Sequence, residues 1–219
     1  MCGRFALTLP NDAMAQLFAA APDNDLPEGP NFNVCPTTNV HVVSAGESGR
    51  RLRAMRWGFV PHWYKALNNG PLLINARGET LAEKPAFKAA CRTRRCVIPA
   101  SGFYEWTKTP DGTRLPWYIT RKDSALLAFA GVWQDWKQDE KTIATCAIVT
   151  VAADPKMQEI HKRMPLVLEA EDWAKWLGEE GKGAAVLMRT PQEERLLFHR
   201  VGTGVNINTA RGKGLIDSV

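Results

Sequence analysis

The chain has 219 residues, 45% of them apolar and 23% charged, which is ordinary globular usage and excludes a collagen, a coiled coil or an intrinsically disordered chain. No run of 18 apolar residues occurs, so no membrane-spanning helix is expected, and a chain this long buries about 70% of its unfolded surface without a disulfide or metal staple. The net charge of +5 lies entirely in residues 1–100, while residues 101–219 balance to zero.

In chain order, residues 11–21 predict a first helix, with Asn11 or Asp12 as N-cap ahead of an Ala/Leu/Phe pattern. Residues 22–36 predict a loop, because they hold Pro22, Pro27, Pro30 and Pro36. Short strands are predicted at 40–44, 52–57, 72–76 and 96–99. A short helix is predicted over 84–91, with Pro85 in its first turn. The aromatic runs 103–106 and 117–119 flank Pro110-Asp111-Gly112, which is hairpin turn chemistry. Apolar strands follow at 125–133 and 143–151. Asp154-Pro155 reads as an N-cap with proline at the first helical position, starting a helix that runs towards His161. Residues 172–177 predict another short helix. No repeat or flexible linker interrupts the pattern, which reads as α+β around one β-rich core.

Charge and cysteines narrow the chemistry. Arg50, Arg51, Arg53 and Arg56 cluster, as do Lys88, Arg92, Arg94 and Arg95. A one-sided surplus attracts phosphate backbones, although a solvated basic surface is the plainer reading from charge alone. The start, Met1-Cys2-Gly3-Arg4-Phe5, has no basic segment leading into a long apolar run, so no signal peptide is expected and the expected location is cytoplasmic. Five cysteines, an odd number in that setting, do not suggest a disulfide framework. Cys91 and Cys96 have a loose zinc-ligand spacing with no second pair, and Cys96 and Cys146 read as small buried residues on strands.

Cys2 is the unusual residue. Removal of Met1 leaves a thiol and a free α-amine on one residue, titrating near ~8.5 and ~7.7–8.0. Such a 1,2-aminothiol can attack an acyl carbon, or condense with an aldehyde and close to a thiazolidine. Asn75 and Arg77 follow an apolar strand, where an amide can orient an oxygen and a guanidinium can fork onto a phosphate. Glu105 sits among aromatics, where burial would raise its pKa and suit proton transfer; alternation facing it to water is equally consistent with the pattern. His161, beside Arg163 and ahead of a proline, is the best placed of four histidines. The run Trp57-Gly58-Phe59-Val60-Pro61-His62-Trp63-Tyr64 follows the arginine cluster, and aromatics beside cations suit unpaired bases as well as a hydrophobic core. Each feature alone has an ordinary structural explanation.

As an ordered set they are specific. Met1-Cys2-Gly3-Arg4-Phe5, Phe32-Asn33-Val34-Cys35-Pro36, Met55-Arg56-Trp57-Gly58-Phe59-Val60-Pro61-His62-Trp63, Asn75-Ala76-Arg77-Gly78-Glu79-Thr80, residues 95–106 and His161-Lys162-Arg163-Met164-Pro165 run in one order. In these blocks the sequence resembles the SOS response-associated peptidase (SRAP) family. The last fifty residues match less clearly, Asn206-Ile207-Asn208 only loosely.

The resemblance implies one α+β domain over residues 1–219, with a mixed, mostly antiparallel, barrel-like β core and flanking short helices. It implies a sensor and shield of abasic sites in single-stranded DNA. Cys2 would form a covalent thiazolidine crosslink once Met1 is gone, with a self-processing peptidase activity as a further implication. Asn75, Glu105 and His161 match the catalytic positions beside Cys2. Arg4, Arg77 and Arg163 would hold the DNA backbone, Trp63 and Tyr64 would pack on bases, and Pro36 and Thr150 would join the DNA-binding set. The expected form is a monomer with no metal, cofactor or membrane. Two other classes compete: an N-terminal-nucleophile amidohydrolase, and a non-catalytic single-stranded DNA module using Trp57, Trp63, Tyr64 and the arginines.

Overall fold

The computed structural model describes residues 2–23, 25–190 and 195–219. In chain order it contains β1 (Phe5–Leu7), α1 (Asn11–Leu17), β2 (Ala20–Pro22), β3 (Asn31–Val34), β4 (Asn39–Gly46), β5 (Gly49–Trp57), β6 (Asn75–Arg77) and α2 (Pro85–Thr93). There follow β7 (Arg95–Ala100), β8 (Gly102–Lys108), β9 (Arg114–Arg121), β10 (Leu127–Gln138), β11 (Lys141–Ala152), α3 (Pro155–Gln158), β12 (Arg163–Pro165), α4 (Trp173–Leu177) and β13 (Leu196–Arg200).

Five strands close a ring. β5 pairs with β4, β4 with β7, β7 with β10 and β10 with β11, all antiparallel. β11 then returns to β5 through the parallel pairs Thr145↔Arg56 and Cys146↔Trp57. Closure buries the inner face of the strands, and α2, α4 and β1 pack on β7 as well, so β7 and β11 read as nearly unbroken apolar runs. Cys96 and Cys146 are fully buried on them, as the sequence predicts.

A second antiparallel sheet, ordered β13-β9-β8-β1-β3, lies against this barrel. Its inner face carries Phe5 and Phe103. The ring centroid of Phe5 is 5.1 Å from Trp57, and both phenylalanines lie about 6 Å from Phe129. Its outer face pairs Tyr104 with Tyr118 at 4.9 Å, under Val201 and Val205. The predicted hairpin is β8–β9, and Gly112 at φ 87° makes its turn. Gly102 is held by neighbours rather than by conformation, since a Cβ there would sit 2.4 Å from Tyr118 Cζ. Gly102→Ala is expected to lower stability by about 1–3 kcal/mol through overpacking, read as a lower urea midpoint at unchanged slope.

Several elements differ from expectation. The first helix ends at Leu17 rather than near residue 21. Ala19 turns the chain at φ 48°, and Ala20–Pro22 pair in parallel with β5, whose open edge outcompetes helix propensity there. Pro10, not Asn11 or Asp12, occupies the N-cap position, and the Asn11 side chain instead bonds His41 Nε2 at 2.8 Å. Burial drops the His41 pKa to about 4, so its ring is neutral at neutral pH. The proline-rich loop contains β3. The strand predicted at 72–76 starts later, at Asn75. The helix after Asp154 is capped as expected, Asp154 Oδ1 accepting from the Met157 N–H at 2.8 Å, but it stops at Gln158.

Candidate active site

Of the residues singled out in the sequence, Cys2, Asn75, Arg77, Glu105, Thr150, His161 and Arg163 come together where the end of β11 leaves the barrel. There β6 lies parallel to β11, with Asn75 opposite Ile148 and Arg77 opposite Thr150. β12 lies antiparallel, with Arg163 opposite Ala152. β1 pairs with β8, and the Tyr104 N–H donates to the Arg4 carbonyl at 2.9 Å, which brings Cys2 alongside Glu105. Trp57 is fully buried and donates from Nε1 to the Ile74 carbonyl at 2.9 Å, so it fixes the approach to Asn75 and offers no surface to a ligand.

Asn75 Nδ2 donates to the Cys2 carbonyl at 2.9 Å, while Asn75 Oδ1 is buried with no partner among the described residues. An orphan buried acceptor beside Cys2 invites a donor. Cys2 is fully buried, with Sγ 3.9 Å from the Arg4 carbonyl oxygen. Burial first, and the Glu105 charge second, push its thiol pKa well above the usual range. Glu105 is 4% exposed, which decides between the two readings of its alternation. It shares the barrel-facing side of β8 with Phe103, and Tyr104 and Trp106 take the other side. Burial raises its carboxyl pKa, and the positive charge of the amino terminus, followed by that of His161, partly opposes that rise. His161 is half-buried, its Nδ1 lying 2.9 Å from the Arg163 carbonyl oxygen and 3.0 Å from the Arg163 N–H. That ties Nδ1 to the backbone and fixes the ring plane.

Arg163 forms a two-pronged ion pair with Glu79 at 2.6 and 2.9 Å. It also reaches the Thr150 carbonyl oxygen at 2.5 Å and Thr150 Oγ1 at 3.3 Å. The pair holds the Glu79 carboxyl below its ordinary pKa. Thr150 is fully buried, and its contact with the site is this bond to Arg163. Arg77 is exposed, and its side chain makes no hydrogen bond or ion pair among the described residues. Arg4 is different: it is 8% exposed, and its two terminal nitrogens bond Asn33, Val205 and Asn208. Pro36 is half-buried beside Cys35.

Trp63 is 48% exposed, edge-on to His62 at 4.9 Å. Tyr64 packs on Gly70, and its carbonyl accepts from Trp136 Nε1 at 2.8 Å, which holds the aromatic loop on the barrel. Half of the two basic clusters is engaged internally. Arg50 pairs with Glu179 at 2.8 Å, and Arg53 pairs with Asp23 at 3.0 Å while lying over Trp133. Arg56 bonds the Gly58 carbonyl, and Arg95 bonds the carbonyls of Cys91, Arg92 and Trp176. Among the described residues no group of three His, Cys, Asp or Glu side chains could hold a metal ion, and no helix is long and apolar enough to cross a membrane.

Sequence reasoning missed three supporting residues. Glu79 and Asn33 lay inside quoted blocks but carried no role. Asn208 lay in the weakly matching tail, and only its long-range contact with Arg4 exposes it.

Comparison with known proteins bears on the chain as a whole. The model of the SOS response associated peptidase (SRAP) family matches residues 1–208. Abasic site processing protein YoqW of Bacillus subtilis is 41% identical over 181 residues, covering 81% of this chain and 80% of that one. Abasic site processing protein YedK of Escherichia coli is 33% identical over the full length of both. A solved Bacteroides thetaiotaomicron protein shares the fold across both chains, with a TM-score of 0.87 at 20% identity. A Bordetella bronchiseptica structure gives a TM-score of 0.76 at 25% identity, over 92% of this chain and all of that one. A family model that spans nearly all of the sequence, with relatives above 30% identity over most of it, means that the chain belongs to the SOS response associated peptidase family.

Proposed function

We propose that this protein, acting as a single-domain monomer, captures abasic sites in single-stranded DNA. Cys2, exposed by removal of Met1, forms a thiazolidine with the open-chain sugar and shields the strand. The observation that carries this reading is the pairing of Asn75 with the Cys2 carbonyl while Glu105 is buried within electrostatic reach of both Cys2 and His161. The names of the relatives, abasic site processing proteins, agree with it.

The neutral Cys2 amine adds to the sugar aldehyde, and loss of one water gives an iminium. An iminium left in place acidifies the adjacent C–H and permits elimination of the 3′ phosphate, which breaks the strand. Addition of the Cys2 sulfur to the iminium carbon removes that electron sink. The proton from sulfur passes to Glu105, whose raised pKa fits it to take and return a proton near neutrality. The thiol stays protonated until the iminium charge forms beside it, because burial disfavours a lone thiolate. Amine and sulfur share one residue, so ring closure is intramolecular and has a high effective molarity. Asn75 Oδ1 takes the donor it lacks, from the Cys2 amine or a sugar hydroxyl. His161 protonates the departing sugar oxygen.

Arg77 and Arg163 hold phosphates, and the buried charge of Arg4 adds to the field drawing them in. Trp63 and Tyr64 stack on bases next to the lesion, and Pro36 lines the same path. An abasic nucleotide stacks poorly, so turning it into the site costs little.

Intact mass spectrometry tests this reading. The prepared protein should lack Met1, and mixing with an abasic single strand should give one adduct equal to protein plus strand less one water. Release of ammonia from glutamine without an adduct would favour the amidohydrolase class instead. Equal binding of intact and abasic strands with no adduct would favour a plain binding module.

A further inference from the structure

β1 is three residues long, and the reacting residue lies beyond its end, where a terminal strand would ordinarily fray. What secures it comes from the far end of the chain. Residues 205–210 cross the outer face of the second sheet at Arg4. Arg4 Nη1 donates to Asn33 Oδ1 at 2.7 Å and to the Val205 carbonyl at 2.8 Å, and Arg4 Nη2 donates to Asn208 Oδ1 at 2.5 Å. Asn33 Nδ2 lies within hydrogen-bond reach of the carbonyls of Ile207, Asn208 and Ala210, at 3.1, 3.3 and 2.9 Å. One residue past Glu105, Trp106 Nε1 donates to Asn206 Oδ1 at 2.6 Å. The same short segment therefore grips the residue two after Cys2 and the residue one after Glu105. Every acceptor on the Arg4 guanidinium among the described residues is neutral, so these contacts place a buried cation by geometry rather than by charge pairing.

We propose that residues 205–210 are a positioning strap for the reacting residue, and that Asn208, acting through Arg4 and Asn33, holds Cys2 in register with Glu105. The kinetic part rests on the reading that Cys2 crosslinks abasic DNA; the structural part does not. A displacement of about 1 Å at a reacting group costs on the order of 100-fold in rate even when its cause is remote.

The test compares wild type, Asn208→Leu and Asn208→Asp as full chains with Met1 removed. Three quantities are read: the single-turnover crosslinking rate at saturating abasic strand, the affinity for an intact strand, and amide hydrogen exchange at residues 3–5. Asn208→Leu should crosslink about 10–100-fold more slowly with affinity unchanged, and its residue 3–5 amides should exchange faster. Asn208→Asp keeps an oxygen for Arg4 and should recover both. Should Asn208→Leu fail to fold, Asn206→Ala, which releases only Trp106 and Arg114, should slow the same step with affinity unchanged. Wild-type exchange and rate in Asn208→Leu, or no recovery in Asn208→Asp, would overturn the strap. A wild-type protein that never crosslinks, yet shows the exchange pattern, would sink the functional reading and leave the strap standing.

Discussion

Cys2→Ala is expected to abolish stable capture of abasic single-stranded DNA, a loss of at least about 1000-fold, with affinity for the strand within a few-fold of wild type. The effect is large because one residue supplies both bond-forming atoms. Alanine is small enough for Met1 still to be removed, so the variant keeps an α-amine and loses only the sulfur. It should therefore stop at the iminium. Borohydride should trap that species on the variant, and the strand should be cut more often than with wild type. The change in side-chain volume is slight, so the fold should survive. Gel-resolved crosslinking and cleavage of one labelled strand read both outcomes. A Cys2→Ala protein that forms a stable adduct with no borohydride added would contradict the role given to sulfur.

Glu105→Gln should slow formation and reversal of the crosslink together, each by roughly 100–10,000-fold. Both directions pass through the same proton transfer, so a relay group cannot affect one alone. The substitution should also stabilise the protein. Burial holds the Glu105 carboxyl above its ordinary pKa. The stability associated with such a group is fully present below the ordinary carboxylate range and is lost as pH rises through the raised folded value. Glutamine never ionises, so its melting-temperature advantage should be small near pH 4 and grow towards pH 8. Each ~1 kcal/mol relieved corresponds to about 2–4 °C for a chain of this size. A variant that is slower and more stable is what a site built for chemistry gives up. Calorimetry across that pH range, beside single-turnover rates, separates this from simple loss of structure.

Much of this architecture was legible locally. The Asp111-Gly112 turn, the Asp154-Pro155 start and the apolar runs of β7, β10 and β11 each carry their own signal. Period and turn chemistry are properties of neighbouring residues. What escaped was set by residues far apart. Ala20–Pro22 became a strand because β5 offered an edge, and β3 formed between Pro30 and Pro36 because β1 lay beside it. The side of β8 that Glu105 faces was undecided by alternation until the barrel fixed it. Many of the arginines read as a basic surface turned out to bridge elements, as Arg50 does to Glu179. Arg4 looked like a DNA contact, and its burial under residues 205–210 depends on a partner two hundred positions away.

The central claim is that one carbon of the damaged sugar becomes bonded to both nitrogen and sulfur of Cys2. Proteolysis of the wild-type adduct followed by peptide mapping tests it most directly. The account predicts a single modified peptide beginning at Cys2, with its amine and thiol both blocked and its linkage resistant to borohydride. A modified peptide that still begins with Met1, or one whose Cys2 thiol alkylates freely while the strand stays attached, would contradict it.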